Sequence, residues 1–184
     1  YYADGYLSKL EYPEDLDSVK KATDRFLEIV KAYADEESKV YFSVIPDKNY
    51  FLAEKNGYPA MNYDKFIAYA KEGMSSAEYI DITDLLELDD YYRTDSHWRQ
   101  ERITDVAERL AEKMGAKLDS EYAVNKLSSD FYGVYSGQSA LPVRPDELYC
   151  LENEAIKNST VYDAETDSSI TVYNKENAFG KDLY

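Results

Sequence analysis

Residues 39–46 read Lys-Val-Tyr-Phe-Ser-Val-Ile-Pro. β-Branched and aromatic residues dominate this run, and Pro46 stops it, so we predict a buried strand over Lys39–Ile45. A second run, Glu-Tyr-Ile-Asp-Ile at Glu78–Ile82, alternates polar and apolar residues and predicts a short strand. Segments with helical spacing of apolar residues lie before, between and after the two runs. Strands that alternate with helices indicate an α/β fold with a mostly parallel sheet.

Three longer helices are predicted around these strands. They cover Leu16–Ala34, Tyr63–Lys71 and about Arg99–Met114, and we expect the first and the last to pack on the sheet. The stripe that the first helix would bury consists of Leu16, Val19, Phe26, Ile29, Val30 and Tyr33. Tyr1–Leu10 predicts a small hairpin with Asp4-Gly5 as its turn.

The rest of the chain changes character after Ser128. Strands are predicted at Phe131–Tyr135, Glu147–Leu151 and Ile170–Tyr173, with no strong helix between them. Because we find no repeat and no Pro- or Gly-rich linker, residues 1–184 are interpreted as one domain.

The charge of the chain narrows its possible partners. Lys and Arg number 21 and Asp and Glu 37, so the formal net charge is −16. A surface this acidic repels phosphate backbones, so we expect no nucleic-acid partner, and anionic membranes are disfavoured too. No apolar run is long enough to span a bilayer, so we expect no transmembrane segment in this chain.

Tyrosine and cysteine carry further information. Tyrosine provides 20 of the 184 residues. Its ring has a flat apolar face and a polar edge, which suits sugars and wet interfaces, although Tyr can also replace Phe at the margins of a core. The single cysteine, Cys150, excludes an internal disulfide and is expected to be buried. One cysteine fits a reducing compartment or a surface protein from an organism that avoids cysteine.

The stretch Tyr91–Trp98 carries the candidate chemistry. It reads Tyr-Tyr-Arg-Thr-Asp-Ser-His-Trp, and His97 is the only histidine of the chain. Asp95 and His97 are two residues apart, so extended backbone would project both side chains to one side. A carboxylate can hold the Nδ1–H of an imidazole and leave Nε2 as a general base. The alternative is a surface Asp–His pair without function, because this spacing is short and common.

Tyr92–Trp98 resembles the signature of the DHHW protein family, Tyr-Arg-Thr-Asp-His-His-Trp. That family in turn resembles the accessory O-acetyltransferases of alginate biosynthesis, which have an SGNH-hydrolase-like, or flavodoxin-like, fold. Further resemblance lies at Asp4–Leu7, Val40–Pro46, Tyr79–Leu85 and Phe131–Ser136. Two residues depart from the pattern: Ser96 stands at the family's first His, and Arg99 replaces the usual Thr or Ser after Trp98.

The resemblance implies a function and roles for individual residues. It implies an exported O-acyltransferase or esterase that acts on a bacterial cell-envelope polysaccharide, outside the cytoplasm and without cofactor or metal. Asp95 would orient the imidazole, and His97 would be the base. Arg93 and Tyr132, which belong to two of the shared segments, are assigned to substrate binding. Trp98 is expected to pack inward and support the loop.

The nucleophile of such a triad is not recognisable. The related acetyltransferases place their serine well after the Asp-x-His, in a Gly-Asp-Ser or Asp-Ser-(Phe/Tyr) block. Asp167-Ser168 has the dipeptide but looks like a hairpin tip, and Gly137-Gln138-Ser139 is a superficial match. Asn177–Tyr184 resembles the family's segment just ahead of the nucleophile strand. We therefore expect an SGNH-hydrolase-like domain that is incomplete at its C-terminus.

Other functions stay open on sequence grounds. Asp95, His97 and Glu101 could ligate a metal ion, although one histidine with hard oxygens is a poor zinc site. A non-catalytic carbohydrate-binding or scaffold domain of the cell surface is the main alternative to the enzyme. A protein-interaction domain that displays its tyrosines is a third.

Overall fold

The computed structural model describes residues 1–118 and 121–173. The segment Asn177–Tyr184, which resembles the family's sequence ahead of the nucleophile strand, lies outside the described residues, as does Ser120. Strands and helices follow one another in the order β1 (Tyr2–Ala3), β2 (Tyr6–Leu7), α1 (Leu16–Tyr33), β3 (Tyr41–Phe42), α2 (Asn49–Leu52), α3 (Tyr63–Gly73), β4 (Glu78–Tyr79), α4 (Thr104–Lys113), β5 (Ala123–Phe131), α5 (Val134–Ser139), β6 (Asp146–Glu152), α6 (Glu154–Asn158), β7 (Thr160–Asp163) and β8 (Ser168–Thr171). Short 3-10 turns lie at Glu54–Asn56, Thr83–Leu85, Leu88–Asp90 and Gln100–Arg102.

The N-terminal hairpin is confirmed. β1 pairs antiparallel with β2, and the turn between them is Asp4-Gly5. Both turn residues have positive φ, 50° and 89°, which is the backbone geometry that tight two-residue hairpins require. The hairpin reaches the predicted site, because the Leu7 N–H donates to the Arg93 carbonyl at 2.8 Å.

The α/β class is confirmed, but the large parallel sheet is not seen in the described part of the chain. Its strands form four two-stranded sheets, of which β3–β4 is parallel and the other three are antiparallel. The predicted strand Lys39–Ile45 shortens to two residues and is half-buried. The ladder ends where the Ser43 hydroxyl, rather than a backbone N–H, donates to the Ile80 carbonyl at 2.8 Å.

The core lies between β4 and α4. Its buried centre consists of Ile80, Ile82, Leu86 and Val106. Two partly buried side chains pack against this cluster: Leu110 from α4, and Trp98 from the loop between the 3-10 turns at Leu88–Asp90 and Gln100–Arg102. The helix predicted from Arg99 begins later, at Thr104, because a 3-10 turn at Gln100–Arg102 precedes it.

α1 confirms the predicted helix but not the burial of its stripe. Asp15 caps the helix by accepting from the Ser18 N–H at 2.9 Å. Within the stripe only Val19 is buried, whereas Phe26, Ile29 and Tyr33 are 56%, 49% and 87% exposed. The helix rests on α3 through its small residue Thr23, which touches Gly73 to one side of the stripe and leaves the larger side chains uncovered.

The segment after Ser128 corrects one prediction and supports another. Phe131–Tyr135 is not a strand throughout: β5 ends at Phe131, and α5 begins at Val134. The chain leaves the ladder because the N–H groups of residues 133–136 donate to Thr94 and Asp95 instead of to a strand. The strand predicted at Glu147–Leu151 is present as β6, and Cys150 is buried in it.

The tyrosines occur both in the core and on the surface, which are the two alternatives that the composition left open. Tyr6, Tyr63 and Tyr91 are buried, and their hydroxyls bond to Asp89, Asp47 and the Pro46 carbonyl. Others are more than half exposed, for example Tyr2, Tyr12, Tyr132 and Tyr162. None of the helices in residues 1–118 and 121–173 combines the length and apolar character needed to cross a membrane.

The contact between α1 and α3 gives a first prediction. A Cβ added at Gly73 would lie 2.6 Å from Thr23 Oγ1 and 2.9 Å from Thr23 Cβ. Gly73→Ala is therefore expected to lower the free energy of unfolding by about 1–3 kcal/mol, as overpacking does elsewhere. Urea unfolding followed by Trp98 fluorescence measures this.

Gly137→Ala is the matched control. Gly137 also lies in a helix, α5, but a Cβ there would have nothing within 4 Å. This variant should keep or slightly raise the stability, because alanine favours helix more than glycine does. Equal losses in the two variants would mean that the Thr23–Gly73 contact does not limit the packing of α1 on α3.

Candidate active site

The Asp95–His97 segment is the tip of a closed loop. Tyr91 and Trp98 form an isolated antiparallel bridge at its base. One residue further in, the Tyr92 N–H donates to the His97 carbonyl at 3.1 Å. The loop therefore behaves as a short hairpin, which fixes the backbone on both sides of Asp95.

The Asp95 carboxylate is buried at the centre of this loop, with 1% of the residue exposed. Its Oδ1 accepts from the His97 backbone N–H at 3.0 Å and faces His97 Nδ1 at 2.6 Å. Its Oδ2 accepts from the Val134 N–H at 2.9 Å. The pair is thus held by a local turn, in which the carboxylate folds back over its own backbone, and not by extended chain as the spacing alone suggested.

These hydrogen bonds stabilise the ionised form of the Asp95 carboxylate. Burial alone would raise the pKa of Asp95, but the N–H groups of Val134 and His97 and the His97 ring outweigh it and hold the pKa below its ordinary value. An ionised carboxylate only accepts hydrogen bonds, so the nitrogen that faces it, Nδ1, carries a proton. In the neutral ring the lone pair is then on Nε2, as a general base requires.

The imidazole is far more exposed than the carboxylate that holds it. The His97 side chain is 50% exposed, whereas the Asp95 side chain below it is 1% exposed. The Ser96 hydroxyl lies 3.3 Å from Nδ1, on the side that Asp95 holds, so it is not placed as a nucleophile for Nε2.

Gly133 allows the carboxylate to sit where it does. A Cβ at this position would lie 2.3 Å from Asp95 Cβ and 2.5 Å from Oδ2. Gly133 has φ −76°, which any residue adopts, so glycine is required here by close approach and not by backbone conformation. This role was not predicted, although the shared Phe-Tyr-Gly segment contains the residue.

Two buried charged residues that sequence reasoning missed touch the loop directly. The Asp146 carboxylate accepts from the Arg93 and Thr94 N–H groups, both at 2.8 Å. Lys48 Nζ donates to the Tyr92 carbonyl at 2.9 Å. A single sequence gives no signal for either residue, because each contact joins positions more than 40 residues apart.

The remaining predicted residues lie around the loop. Trp98 is half-buried and packs against the core cluster. Arg93 and Tyr132 are exposed, with Tyr132 at 52%, on the two segments that meet at Asp95. Their assignment to substrate binding stays a prediction.

The two serines considered as nucleophiles form their hydrogen bonds within local turns. Ser168 is at the start of β8 in a hairpin with β7, and its hydroxyl bonds to Thr166 at 2.8 Å. Ser139 ends α5, where its hydroxyl lies 3.5 Å from the Ser136 carbonyl and 3.4 Å from the Leu141 N–H. Neither hydroxyl bonds to His97.

The alternative metal site is not assembled in the described residues. Within them, no group of three or more His, Cys, Asp or Glu side chains could hold a metal ion. Glu101 instead forms an ion pair with Arg99 at 2.7 Å.

The close approach at Gly133 gives a second prediction. Gly133→Ala is expected to displace the Asp95 carboxylate and to destabilise the fold by about 1–3 kcal/mol. In ¹H NMR spectra the hydrogen-bonded Nδ1 proton of His97 should broaden or disappear, because solvent reaches it. Gly137→Ala, four residues further along, should leave that proton in place. A sharp, unshifted Nδ1 proton in Gly133→Ala would contradict the crowding argument.

The lowered pKa of Asp95 gives a third prediction, which concerns stability at acidic pH. Because the folded-state pKa lies below the unfolded value of about 3.9, the contribution of Asp95 to stability is present above that value. It is lost as the pH falls through the folded-state pKa. In urea unfolding at pH 7 and pH 2.5, the stability gap between the parent protein and Asp95→Asn should therefore be larger at pH 7. A gap that does not change with pH would show that the carboxylate gains nothing from its N–H donors.

Known structures share this architecture, although no protein-family model and no curated protein matches the sequence. A DHHW family protein from Eubacterium siraeum superimposes with a TM-score of 0.65 at 20% identity, over 86% of this chain and 53% of that chain. Bacillus cereus PatB1 with a sulfonyl adduct gives 0.68 at 10% identity, over 95% of this chain and 64% of that chain. A second PatB1 structure gives 0.66 at 12% identity, over 92% and 64%.

These comparisons concern the fold. The chain spans little more than half of the Eubacterium siraeum protein and just under two thirds of PatB1. The resemblance that the Tyr92–Trp98 motif predicts is confirmed at this level: the chain has the fold of a DHHW family protein and of PatB1.

Proposed function

We propose that Asp95 and His97 are the orienting carboxylate and the general base of an acyl-transfer or ester-hydrolysis site. The observation that carries this proposal is the 2.6 Å contact between a buried carboxylate and Nδ1 of a half-exposed imidazole. This arrangement fixes the tautomer and the direction of the ring, which are the two tasks of the aspartate in a Ser-His-Asp triad.

The proposed reaction assigns each proton. Nε2 of His97 takes the proton of a serine hydroxyl while its oxygen attacks the acyl carbonyl, and Asp95 stabilises the imidazolium that forms. The imidazolium then returns the proton to the departing alcohol, which leaves an acyl-serine. A sugar hydroxyl or water repeats the cycle and releases the acyl group as a new ester or as an acid.

The nucleophile is assigned to a serine outside the described residues. Ser139 and Ser168 are each bonded to their own local turns, as described above. The sulfonyl adduct in the PatB1 structure supports nucleophile chemistry in this fold, because sulfonyl groups attach to activated nucleophilic side chains. We extend the proposal to the fold: residues 1–184 form part of an SGNH-hydrolase-like domain, to which β3–β4 contributes a parallel pair of strands.

We further propose that the substrate is the O-acyl group of a neutral cell-envelope polysaccharide and that the protein acts outside the cytoplasm. The net charge of −16 disfavours strongly anionic polymers. Tyr132 is exposed and directly precedes Gly133, which approaches Asp95; in this proposal its ring offers an apolar face to a sugar, and Arg93 offers hydrogen-bond donors to the sugar hydroxyls.

A carbohydrate-binding protein without catalysis is the second candidate. The exposed tyrosine rings favour it, since stacking on sugars needs no nucleophile. In that case His97→Ala would leave the binding of a glycan unchanged.

The test uses an activated acetyl ester and a sulfonyl fluoride. Residues 1–184 are expected to hydrolyse the ester negligibly, whereas a longer protein in which this chain is followed by an Asp-Ser block should turn it over. In the longer protein His97→Ala and Asp95→Asn should each lower kcat by about 10²–10⁴-fold. Both variants should also slow labelling by the sulfonyl fluoride, measured by mass spectrometry.

Ser168→Ala is the control and should keep the parent rate, because this serine lies on the β7–β8 hairpin. His97-dependent hydrolysis that is sensitive to the serine reagent in residues 1–184 alone would place the nucleophile inside them, with Ser139 examined first. Full activity of His97→Ala in the longer protein would exclude the proposed base.

A further inference from the structure

The backbone of Tyr92–Thr94 passes between two buried side chains of opposite charge. Lys48, just before α2, is 1% exposed, and Asp146, the first residue of β6, is 5% exposed. The two residues approach different groups of the same peptides, since lysine can only donate hydrogen bonds and an ionised aspartate can only accept them.

Lys48 holds the carbonyl side of this segment. Its Nζ donates to the Tyr92 carbonyl at 2.9 Å, to the Leu7 carbonyl, and more distantly to the Arg93 carbonyl at 3.4 Å. Its ammonium also lies 5.0 Å from the centre of the Tyr135 ring, in the segment that contacts Asp95. Lys48 therefore joins the N-terminal hairpin, the loop and the start of α5.

Asp146 holds the N–H side. Its Oδ1 accepts from the Arg93 N–H, and its Oδ2 accepts from the Thr94 N–H and from the Thr94 hydroxyl at 2.6 Å. All three donors belong to the two residues directly before Asp95. If this part of the backbone rotated, at least one of the three hydrogen bonds to Asp146 would break.

A second path connects Asp146 to the carboxylate of the site. The Thr94 hydroxyl, which donates to Asp146, accepts from the Gly133 N–H at 2.9 Å. The Thr94 carbonyl accepts from the Tyr135 N–H at 3.0 Å. Between these two contacts the Val134 N–H reaches Asp95 Oδ2. Thr94 thus holds both neighbours of the residue that donates to Asp95.

Burying these charges is unfavourable in itself. Burial lowers the pKa of Lys48 to about 8, although Asp146, Asp95 and Asp47 act in the opposite direction. Replacing buried charges with packed apolar groups often leaves a protein as stable as before or more so, so stability alone is a weak reason for the two residues. Positioning of the loop is a better reason for them, because the contacts of both residues converge on the Tyr92–Thr94 backbone.

We infer that Lys48 and Asp146 are positioning residues: together they fix the peptides of Tyr92–Thr94 from opposite sides and so hold the Asp95 carboxylate against His97 Nδ1. The inference rests on the proposed function only where it calls the Asp95–His97 pair catalytic. The position of the ring can be measured whether or not the protein hydrolyses an ester.

The experiment uses the fact that the chain has one histidine and one tryptophan. Long-range ¹H–¹⁵N correlation spectra of uniformly labelled protein report the tautomer of His97 without assignment work, and Trp98 fluorescence reports folding. In the neutral form of the ring, the parent protein should carry the proton on Nδ1. Asp146→Asn and Lys48→Met should each lower the ratio of the Nδ1–H to the Nε2–H tautomer by about tenfold, as expected when a hydrogen bond to a charged group is lost.

Asp90→Asn is the matched control. Asp90 is 4% exposed and its carboxylate accepts from one backbone N–H, that of Glu87, outside Tyr92–Asp95. This variant should lose stability and keep the tautomer of the parent. If a folded Asp146→Asn or Lys48→Met variant also keeps the parent tautomer, the inference is overturned.

Thr94→Val decides the question if Asp146→Asn does not fold. Valine keeps the shape of threonine but removes the hydroxyl that joins Asp146 to Gly133, so the tautomer ratio should fall in the same direction. An unchanged ratio in Thr94→Val would overturn the role of Asp146. Failure of ester hydrolysis in the longer protein would overturn the proposed function and leave the tautomer result standing.

Discussion

A carboxylate that is removed from water must find hydrogen-bond donors in the protein, and Asp95 imposes this constraint on the middle of the chain. Three donors meet it: a backbone N–H at His97, the His97 ring and the Val134 N–H. The first two are local, but the third comes from a segment 39 residues away. The chain after β5 must therefore return to the loop, and this return ends the strand at Phe131 and begins α5.

Local patterns in the sequence predicted local structure well. Asp4-Gly5 indicated the hairpin, the apolar spacing after Leu16 indicated α1, and the spacing of Asp95 and His97 indicated that the two side chains meet, although a turn and not extended backbone brings them together. In each case the physical cause lies within a few residues, namely a positive φ, a capped N–H or a turn. The shared motif added the fold, because a series of short matches over much of the chain restricts the order of its elements.

Long-range contacts could not be predicted in this way. The contacts of Lys48 and Asp146 depend on where α2 and β6 lie relative to the loop, and nothing in their neighbouring residues shows this. The strand at Lys39–Ile45 was predicted too long because its composition does not reveal that the Ser43 hydroxyl takes the next carbonyl of the ladder. The burial of Phe26 and Tyr33 was predicted from a helical stripe, and a stripe indicates which face is apolar without showing what covers it.

That uncovered face has a consequence for how the chain behaves in solution. Phe26, Ile29 and Tyr33 lie on the surface of a molecule whose formal charge is −16. In dilute buffer, repulsion between such molecules keeps their apolar faces apart. Salt shortens the range of this repulsion from about 10 Å at 0.1 M to about 3 Å at 1 M and does not weaken the attraction between apolar surfaces. High ionic strength therefore removes most of the long-range repulsion that keeps these apolar faces apart.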